Sequence, residues 1–401
     1  MLHEDTLIAT LALSLALAFV FGLLAVRLRL PPLVGYLLAG IVLGPYTPGV
    51  HADAQLAPQL AEIGVMLLMF GVGTHFSLRD LMAVKGIAVP GAIAQIAVAT
   101  ALGAGAAYFW GWPLGAGLVF GLALSVASTV VLLRALEEQG TLESADGRIA
   151  VGWLIVEDLL MVLALVLLPA LADLLGGEAP AGHAAAPDAL WRTLGLTLGK
   201  VALFVALMLV VGTRLFPWIL QRVVRTQSRE LFTLAAIALA LGVAYGSTRL
   251  FDVSVALGAF FAGMVINGSE LSHRAGTYLQ PLQDVFAALF FVSVGMLFDP
   301  LVLVRHPLEV LTVLGIIVVG KSLAALGIVL LLRRPLGTAL TVSAALAQIG
   351  EFSFILAVMG VSLKLLPAQG QSYILAGALL SITLNPLVFK LVARFRPKPV
   401  S

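Results

Sequence analysis

Long apolar segments alternate with short polar ones along the whole chain. A bilayer core about 30 Å thick is crossed by about 20 apolar residues in a helix. At that length, the pattern predicts thirteen transmembrane helices, of which the second and ninth are short and rich in glycine. The predicted helices are 6–26, 31–46, 57–76, 85–110, 114–138, 149–173, 193–220, 230–248, 253–267, 281–298, 308–332, 338–362 and 370–393.

The composition agrees with a chain embedded in lipid. Hydrophobic residues make up 61% of the sequence and charged residues only 11%, whereas a soluble domain carries about 25% charged residues. The net charge of +2 gives no basic surface typical of nucleic-acid binding, and the absence of cysteine excludes disulfides and thiolate metal sites. We therefore expect an all-α polytopic membrane protein, 1–401, without a separate soluble domain.

The basic residues predict the orientation of the helices. Lysine and arginine favour the cytoplasmic ends of transmembrane helices. Of the 23 basic residues, 17 fall on one side of the predicted helices, 4 on the other, and Lys200 and Lys321 lie within helices. This bias places the N-terminus outside and the C-terminus in the cytoplasm, with the chain in the inner (plasma) membrane. The acidic N-terminus lacks the basic start of a signal peptide, so the first helix is expected to be retained.

Two halves of the chain resemble each other at a nearly constant offset. Val34-Gly-Tyr-Leu-Leu-Ala-Gly40 matches Leu257-Gly-Ala-Phe-Phe-Ala-Gly263 at 223 residues, and Val72-Gly73 matches Val294-Gly295 at 222. The offset pairs helices 1–6 (6–173) with helices 8–13 (230–393), and leaves 193–220 as a linker helix. Because seven helices separate each pair of partners, the repeats have inverted topology. Inverted repeats are typical of secondary transporters, with the binding site between them at midplane.

Acidic side chains within a predicted helix are the main functional candidates. Glu157 and Asp158 lie in the middle of helix 6, where a charge costs from about 3 to over 10 kcal/mol. A carboxylate in such surroundings attracts protons and cations in competition. Lys321, deep in helix 11, is expected to pair with Glu157 and leave Asp158 for the ion. The alternative for the acidic pair is a structural ion pair between helices.

Polar stretches at equivalent positions of the repeats predict two broken helices. The offset of 222 sets Thr129 of helix 5 against Glu351 of helix 12, and Ser128 against Gly350. Such breaks free backbone groups that line ion sites in transporters. We predict breaks near Ser128–Val130 and Gly350–Phe352. The alternatives are hydroxyl bonds to the preceding helical turn for Ser128 and Thr129, and balancing of a helix N-terminus for Glu351.

The remaining polar candidates indicate helix contacts and no cofactor. Gln95 and Asn385 are expected to join neighbouring helices. His75, His183 and His306, three of the six histidines, lie near predicted helix ends or in loops and predict no metal cluster, so no metal is expected beyond a transported monovalent cation.

These motifs together resemble the Kef-type potassium/proton exchangers, in the second branch of the monovalent cation/proton antiporters. The resemblance covers essentially the whole chain. It is carried by the stretch Leu30–Pro45, the Ser125–Thr129 stretch, Gly152-Trp-Leu-Ile-Val-Glu-Asp158, Lys321 and Gly350-Glu-Phe-Ser-Phe354.

The resemblance implies exchange of K⁺ or Na⁺ for protons by an elevator-like homodimer. Helices 1–3 and 8–10 would form the dimerisation domain, helices 4–6 and 11–13 the mobile core, and helix 7 the link between them. The family's ion-carrying aspartate corresponds to Asp158, while Glu157 stands where many members have Gln, Asn or Asp. Many members continue into a cytoplasmic nucleotide-binding domain, which this chain is expected to lack.

Two other functions fit the inverted-repeat plan less well. A sodium-coupled organic-anion symporter would require a basic pocket, and only Lys321 reaches midplane among the basic residues of the predicted core. A non-transporting sensor or channel-like module would not require an acidic pair facing broken helices.

Overall fold

The computed structural model describes residues 4–48, 56–75, 78–178, 190–251, 253–267 and 272–395. Within these ranges the regular structure is helical throughout, which confirms the predicted all-α class. Eighteen α-helices follow one another, with π-helical turns at Met208–Gly212 and Ile316–Gly320. The helices are α1 Glu4–Arg27, α2 Pro32–Leu43, α3 Leu56–His75, α4 Leu78–Phe109, α5 Leu114–Ser125, α6 Thr129–Glu138, α7 Ala145–Leu171, α8 Leu190–Leu207, α9 Thr213–Val224, α10 Arg229–Phe251, α11 Val255–Asn267, α12 Ser272–Met296, α13 Val302–Arg305, α14 Pro307–Gly315, α15 Lys321–Leu331, α16 Leu336–Ala345, α17 Glu351–Ser362 and α18 Ala368–Ala393.

The helices follow the apolar segments of the sequence. Each of the thirteen predicted segments contains helix, and nine helices among the described residues are long and apolar enough to cross a membrane. Shorter apolar helices, including α2 and α11, lie between them. Both chain ends, 1–3 and 396–401, lie outside the described residues. Most of the polar connector, residues 179–189 with His183, also lies outside them.

Two helices begin earlier than the apolar pattern predicted. α4 begins at Leu78 instead of 85, and α12 begins at Ser272 instead of 281. The added residues of α12 are mostly polar, and those of α4 include the charged neighbours Arg79 and Asp80, so the apolar pattern placed both starts later. Pro90 and Pro281 lie inside these helices, and Pro281 had marked the predicted start of the latter.

The chain divides into two compact units. The first comprises Met1–Leu23, Gly35–Ser77 and Ala185–Leu297, and the second comprises Leu24–Val34, Leu78–Ala184 and Phe298–Ser401. The first unit therefore holds predicted helices 1–3 and 7–10, and the second holds helices 4–6 and 11–13. This grouping coincides with the one that the family resemblance implies, with the linker helix in the first unit.

Close glycine contacts hold the first unit together in a symmetric way. A Cβ on Gly40 of α2 would touch the Val292 carbonyl of α12 and lie 2.8 Å from the Cα of Gly295. A Cβ on Gly263 of α11 would touch the Phe70 carbonyl of α3 and lie 3.0 Å from the Cα of Gly73. Gly40 and Gly263 are repeat partners, and so are Gly73 and Gly295. The two contacts are thus counterparts, which supports the inverted repeat.

The second unit places the two predicted broken helices among continuous ones. α4 packs against α5, α7 and α15, while α16 packs against α7, α15 and α18. α17 packs against α5, α7 and α18. The acidic helix α7 therefore contacts both α6 and the pair α16 and α17, which brings its carboxylates to the breaks.

Candidate functional site

Both predicted broken helices are interrupted in the structure. α5 ends at Ser125 and α6 begins at Thr129, with extended backbone at Val126 and Ser128. α16 ends at Ala345 and α17 begins at Glu351. The breaks lie within a few residues of the predicted positions.

The two breaks touch at Ser128 and Gly350. A Cβ on Gly350 would lie 2.9 Å from Ser128 Oγ and 2.5 Å from its Cα, so a side chain has no room at this position. The side-chain amide of Gln348 connects the same two backbone segments. Its Oε1 accepts from the Ser128 N–H at 2.9 Å, and its Nε2 donates to the Ser128 and Ala345 carbonyls at 3.2 and 3.3 Å.

Two further amide side chains satisfy carbonyls where the first half-helices end. The last carbonyls of a helix lack intrahelical partners. Gln95 of α4 donates to the Ser125 carbonyl at 3.0 Å, and Asn385 of α18 donates to the Ala344 carbonyl at 3.0 Å. Each amide bridges two helices, as the sequence predicted. Each one also donates to a carbonyl at the end of a half-helix, which would otherwise lack an intrahelical partner.

The two acids of α7 meet the break between α5 and α6. Glu157 is fully buried and Asp158 is 5% exposed. The Ala127 N–H donates to Glu157 Oε2 at 2.9 Å, and the Thr129 hydroxyl donates to Asp158 Oδ2 at 3.2 Å. Among the described residues, Asp158 Oδ1 accepts no hydrogen bond, and Glu157 Oε1 accepts none of ordinary geometry although the Trp153 side chain lies beside Glu157. Asp158 therefore keeps one oxygen without a partner in this part of the chain.

Lys321 does not form the predicted ion pair with Glu157. Its ammonium is fully buried and donates to the Gln348 carbonyl at 2.9 Å. Glu157 is near enough for an electrostatic interaction, but no Lys321–Glu157 contact falls within 4.0 Å. A cation is stabilised at the carbonyl end of a half-helix, and this carbonyl follows the end of α16. The two side chains thus interact without direct contact here, and their pairing in the cation-free state stays a prediction.

Glu351 is the third buried acid of the site. It lies in the first turn of α17, is 1% exposed, and accepts no hydrogen bond of ordinary geometry from the residues that the structure describes. Its carboxylate lies beside Ser128 and Thr129, at the start of α6. The N-termini of α6 and α17 therefore converge on one carboxylate.

The site has more buried negative charge than positive charge. Of the described residues, the only buried charged side chains are Glu157, Asp158, Glu351 and Lys321. The N-termini of α6 and α17 add about one positive charge, and the C-termini of α5 and α16 at the same breaks add about one negative charge. Three buried acids therefore face one buried base, an excess of negative charge that a proton or a monovalent cation would offset.

The structure adds contacts that the sequence reasoning missed. Gln348 was noted only as part of a polar stretch, although an amide beside a predicted break is a signal for backbone bonding. Ser322 and Ser343 exchange hydroxyl bonds with each other's carbonyls at 3.2 and 2.8 Å and join α15 to α16. The π-helical turn Ile316–Gly320 directly precedes Lys321, and such turns are frequent at functional sites.

The described part of the chain contains no candidate site for a divalent metal ion. No group of three or more His, Asp or Glu residues there has the spacing of a metal site. His306 instead lies 3.3 Å from Glu309 near the start of α14.

Comparison with known proteins identifies the family. The model of the family described as "Sodium/hydrogen exchanger, transmembrane" matches residues 15–394. The chain belongs to this family. Sodium/hydrogen exchangers are transporters rather than enzymes, so the chain is a multi-span membrane protein of an antiporter family.

Relatives within the exchanger family include Kef-type proteins, as the sequence motifs indicated. The chain is 61% identical over 396 residues to the putative cation/proton antiporter YbaL of Escherichia coli, covering 99% of this chain and 70% of that protein. It is 32% identical over 364 residues to K(+) efflux antiporter 4 of Arabidopsis thaliana, covering 90% of this chain and 60% of that protein.

A solved structure has the same fold as this exchanger chain. The sodium proton antiporter MjNhaP1 from Methanocaldococcus jannaschii, at pH 8, matches with a TM-score of 0.73 and 17% identity. The match covers 96% of this chain and 97% of that structure. The helical architecture is therefore that of a sodium/proton antiporter.

Proposed function

We propose that this chain exchanges a monovalent cation, K⁺ or Na⁺, for protons through the acids at the broken helices. The observation that carries the proposal is the burial of three acids against one base. An uncompensated carboxylate inside a membrane protein is costly. Either a proton or a cation removes that cost, and competition between them at one carboxylate couples their movements.

Asp158 is the proposed exchange group. Its free Oδ1 and the Thr129 hydroxyl on its Oδ2 provide oxygen ligands of the kind that alkali cations require. Glu157 is held by the Ala127 N–H and by the charge of Lys321. We propose that Glu157 and Lys321 balance each other electrostatically and leave Asp158 to alternate between proton and cation.

An organic-anion symporter is the less favoured function. The only buried base among the described residues is Lys321, and its ammonium is already engaged by the Gln348 carbonyl. The surrounding acids would repel an anion.

Proteoliposomes test the two functions directly. Purified protein is reconstituted with a pH-sensitive dye inside, and outward gradients of K⁺, Na⁺ and Li⁺ are imposed in turn. The proposal expects dye changes with at least one cation and none with an organic-anion gradient. Proton movement driven by an organic anion and independent of all three cations would contradict it.

We further propose an elevator-like movement of the second unit relative to the first, within a homodimer. The division of the chain into units with helices 1–3 and 7–10 and helices 4–6 and 11–13 supports this mechanism. Cross-linking that locks the two units while exchange continues at the wild-type rate would contradict the movement. Protein reconstituted into liposomes as single protomers that retains full exchange would contradict the dimer.

The proposed orientation in the inner membrane can be measured because the chain has no cysteine. Lys364 and Gln139 are exposed and belong to predicted loops on opposite sides. A membrane-impermeant maleimide added to intact cells should label Lys364→Cys and spare Gln139→Cys. Equal labelling of both variants would contradict the predicted topology.

A further inference from the structure

Glu351 is a buried carboxylate that has no role in the exchange step proposed for Asp158. It is 1% exposed, and neither carboxylate oxygen accepts a hydrogen bond of ordinary geometry from the described residues. Buried polar atoms in native proteins are nearly always hydrogen-bonded. This buried carboxylate, with the Ser128 and Thr129 groups beside it, therefore has capacity for a further ligand.

Glu351 and Asp158 share a neighbour, Thr129. The carboxylate lies beside Ser128 and Thr129, and the Thr129 hydroxyl donates to Asp158 at 3.2 Å. Glu351 is close enough to Asp158 for the two carboxylates to interact electrostatically. Thr129 therefore lies between two carboxylates, one from each inverted repeat.

We propose that Glu351 is a direct, specificity-determining ligand of the transported cation, which is held between α7 and α17 by Asp158 and Glu351 with the Thr129 hydroxyl beside them. This inference rests on the proposed exchange function and extends it. The ligands would come from both repeats, in keeping with a transport site at the repeat interface.

A second carboxylate affects selectivity in a defined direction. Small cations hold water more strongly, and only ligands of high field strength compensate for its removal. Two carboxylate ligands should therefore favour Li⁺ and Na⁺ relative to K⁺ more than one carboxylate does. If Glu351 only balances the N-termini of α6 and α17, its charge acts equally on every monovalent cation.

The test compares wild type, Glu351→Gln, Glu351→Asp and the control Glu178→Gln. Glu178 is an exposed acid of the same unit, 2.6 Å from Lys364. Binding of Li⁺, Na⁺ and K⁺ is measured on purified full-length protein by the rise in melting temperature with cation concentration. The same variants are then assayed for cation-driven proton flux in liposomes.

Glu351→Gln should lose roughly tenfold or more in affinity for the smaller cations, as expected for a lost charged contact. Its affinity for K⁺ should fall less, so the ratio of Na⁺ affinity to K⁺ affinity should decrease. Glu178→Gln should keep the wild-type affinities for all three cations. Glu351→Asp keeps the charge but shortens the side chain, and its ratio should also change. Unchanged ratios in a folded Glu351→Gln protein, or in Glu351→Asp if only that variant folds, overturn the assignment.

The experiment separates this inference from the proposed function. Wild-type protein that binds cations but moves no protons rejects the exchange function, and the Glu351 assignment is then decided by the binding ratios alone. Wild-type protein that exchanges normally, with ratios unaffected by both Glu351 variants, rejects the Glu351 assignment alone.

Discussion

Replacing Gln348 with Leu should reveal how much the contact between the broken helices contributes to stability. The substitution is close to isosteric, so the packing volume is nearly retained. It removes the acceptor of the Ser128 N–H and the donor to the Ala345 carbonyl. The Ser128 carbonyl keeps a second donor, the Leu132 N–H at 3.0 Å, so two buried backbone groups lose their partners.

The magnitude follows from those two groups. Leaving one buried polar group unsatisfied costs about 1–3 kcal/mol, so Gln348→Leu should lower the free energy of unfolding by about 2–6 kcal/mol. Gln95→Leu provides a matched control, because Gln95 makes a single hydrogen bond, to the Ser125 carbonyl. Its expected loss is about half as large.

The assay is reversible unfolding of the purified variants in mixed micelles, with apparent melting temperatures as a second measure. The expected order of stability is wild type, Gln95→Leu, then Gln348→Leu. If the Gln348→Leu protein were as stable as Gln95→Leu, the claim that Gln348 hydrogen-bonds backbone groups at both breaks would be refuted.

Three glycine variants test the packing, and a fourth substitution, at Lys321, tests the charge balance. Gly40→Ala and Gly263→Ala should each lose about 1–3 kcal/mol by overpacking, since each added Cβ meets a backbone carbonyl. Gly86→Ala, with no atom near its Cβ, should lose nothing, and equal melting temperatures for all three variants would contradict the symmetric contacts. Lys321→Met should lower stability by about 3 kcal/mol or more, because it leaves buried acids without their base. A melting temperature like that of wild type would show that Lys321 is not needed for charge balance.

The sequence predicted the breaks because their polar residues have an unmistakable pattern. Ser128 and Gly350 stand at equivalent positions of two apolar segments, and few other arrangements suit such residues in a membrane. The early starts of α4 and α12 escaped prediction because the charged pair Arg79 and Asp80, and the polar residues that follow Ser272, resemble loops when only hydrophobicity is considered.

The partner of Lys321 illustrates a different limit. Charge balance suggested Glu157, whereas the ammonium bonds to a backbone carbonyl at Gln348. A backbone carbonyl has the same sequence signature at every residue, so only the fold reveals that this one is free. The π-helical turn Ile316–Gly320 before Lys321 likewise depends on packing and has no distinct sequence pattern.

The central claim, that Asp158 exchanges a cation for protons, is tested most directly by Asp158→Asn. Asparagine keeps the shape of the side chain and an oxygen near the Thr129 hydroxyl, but it can neither bind a proton at neutral pH nor carry negative charge. The measurement is proton flux in proteoliposomes driven by K⁺ and Na⁺ gradients, with Glu178→Gln as the exposed-acid control. We predict that Asp158→Asn folds with a melting temperature near that of wild type and shows no cation-driven flux, while Glu178→Gln exchanges at the wild-type rate. Substantial cation/proton exchange by a well-folded Asp158→Asn protein would contradict the account.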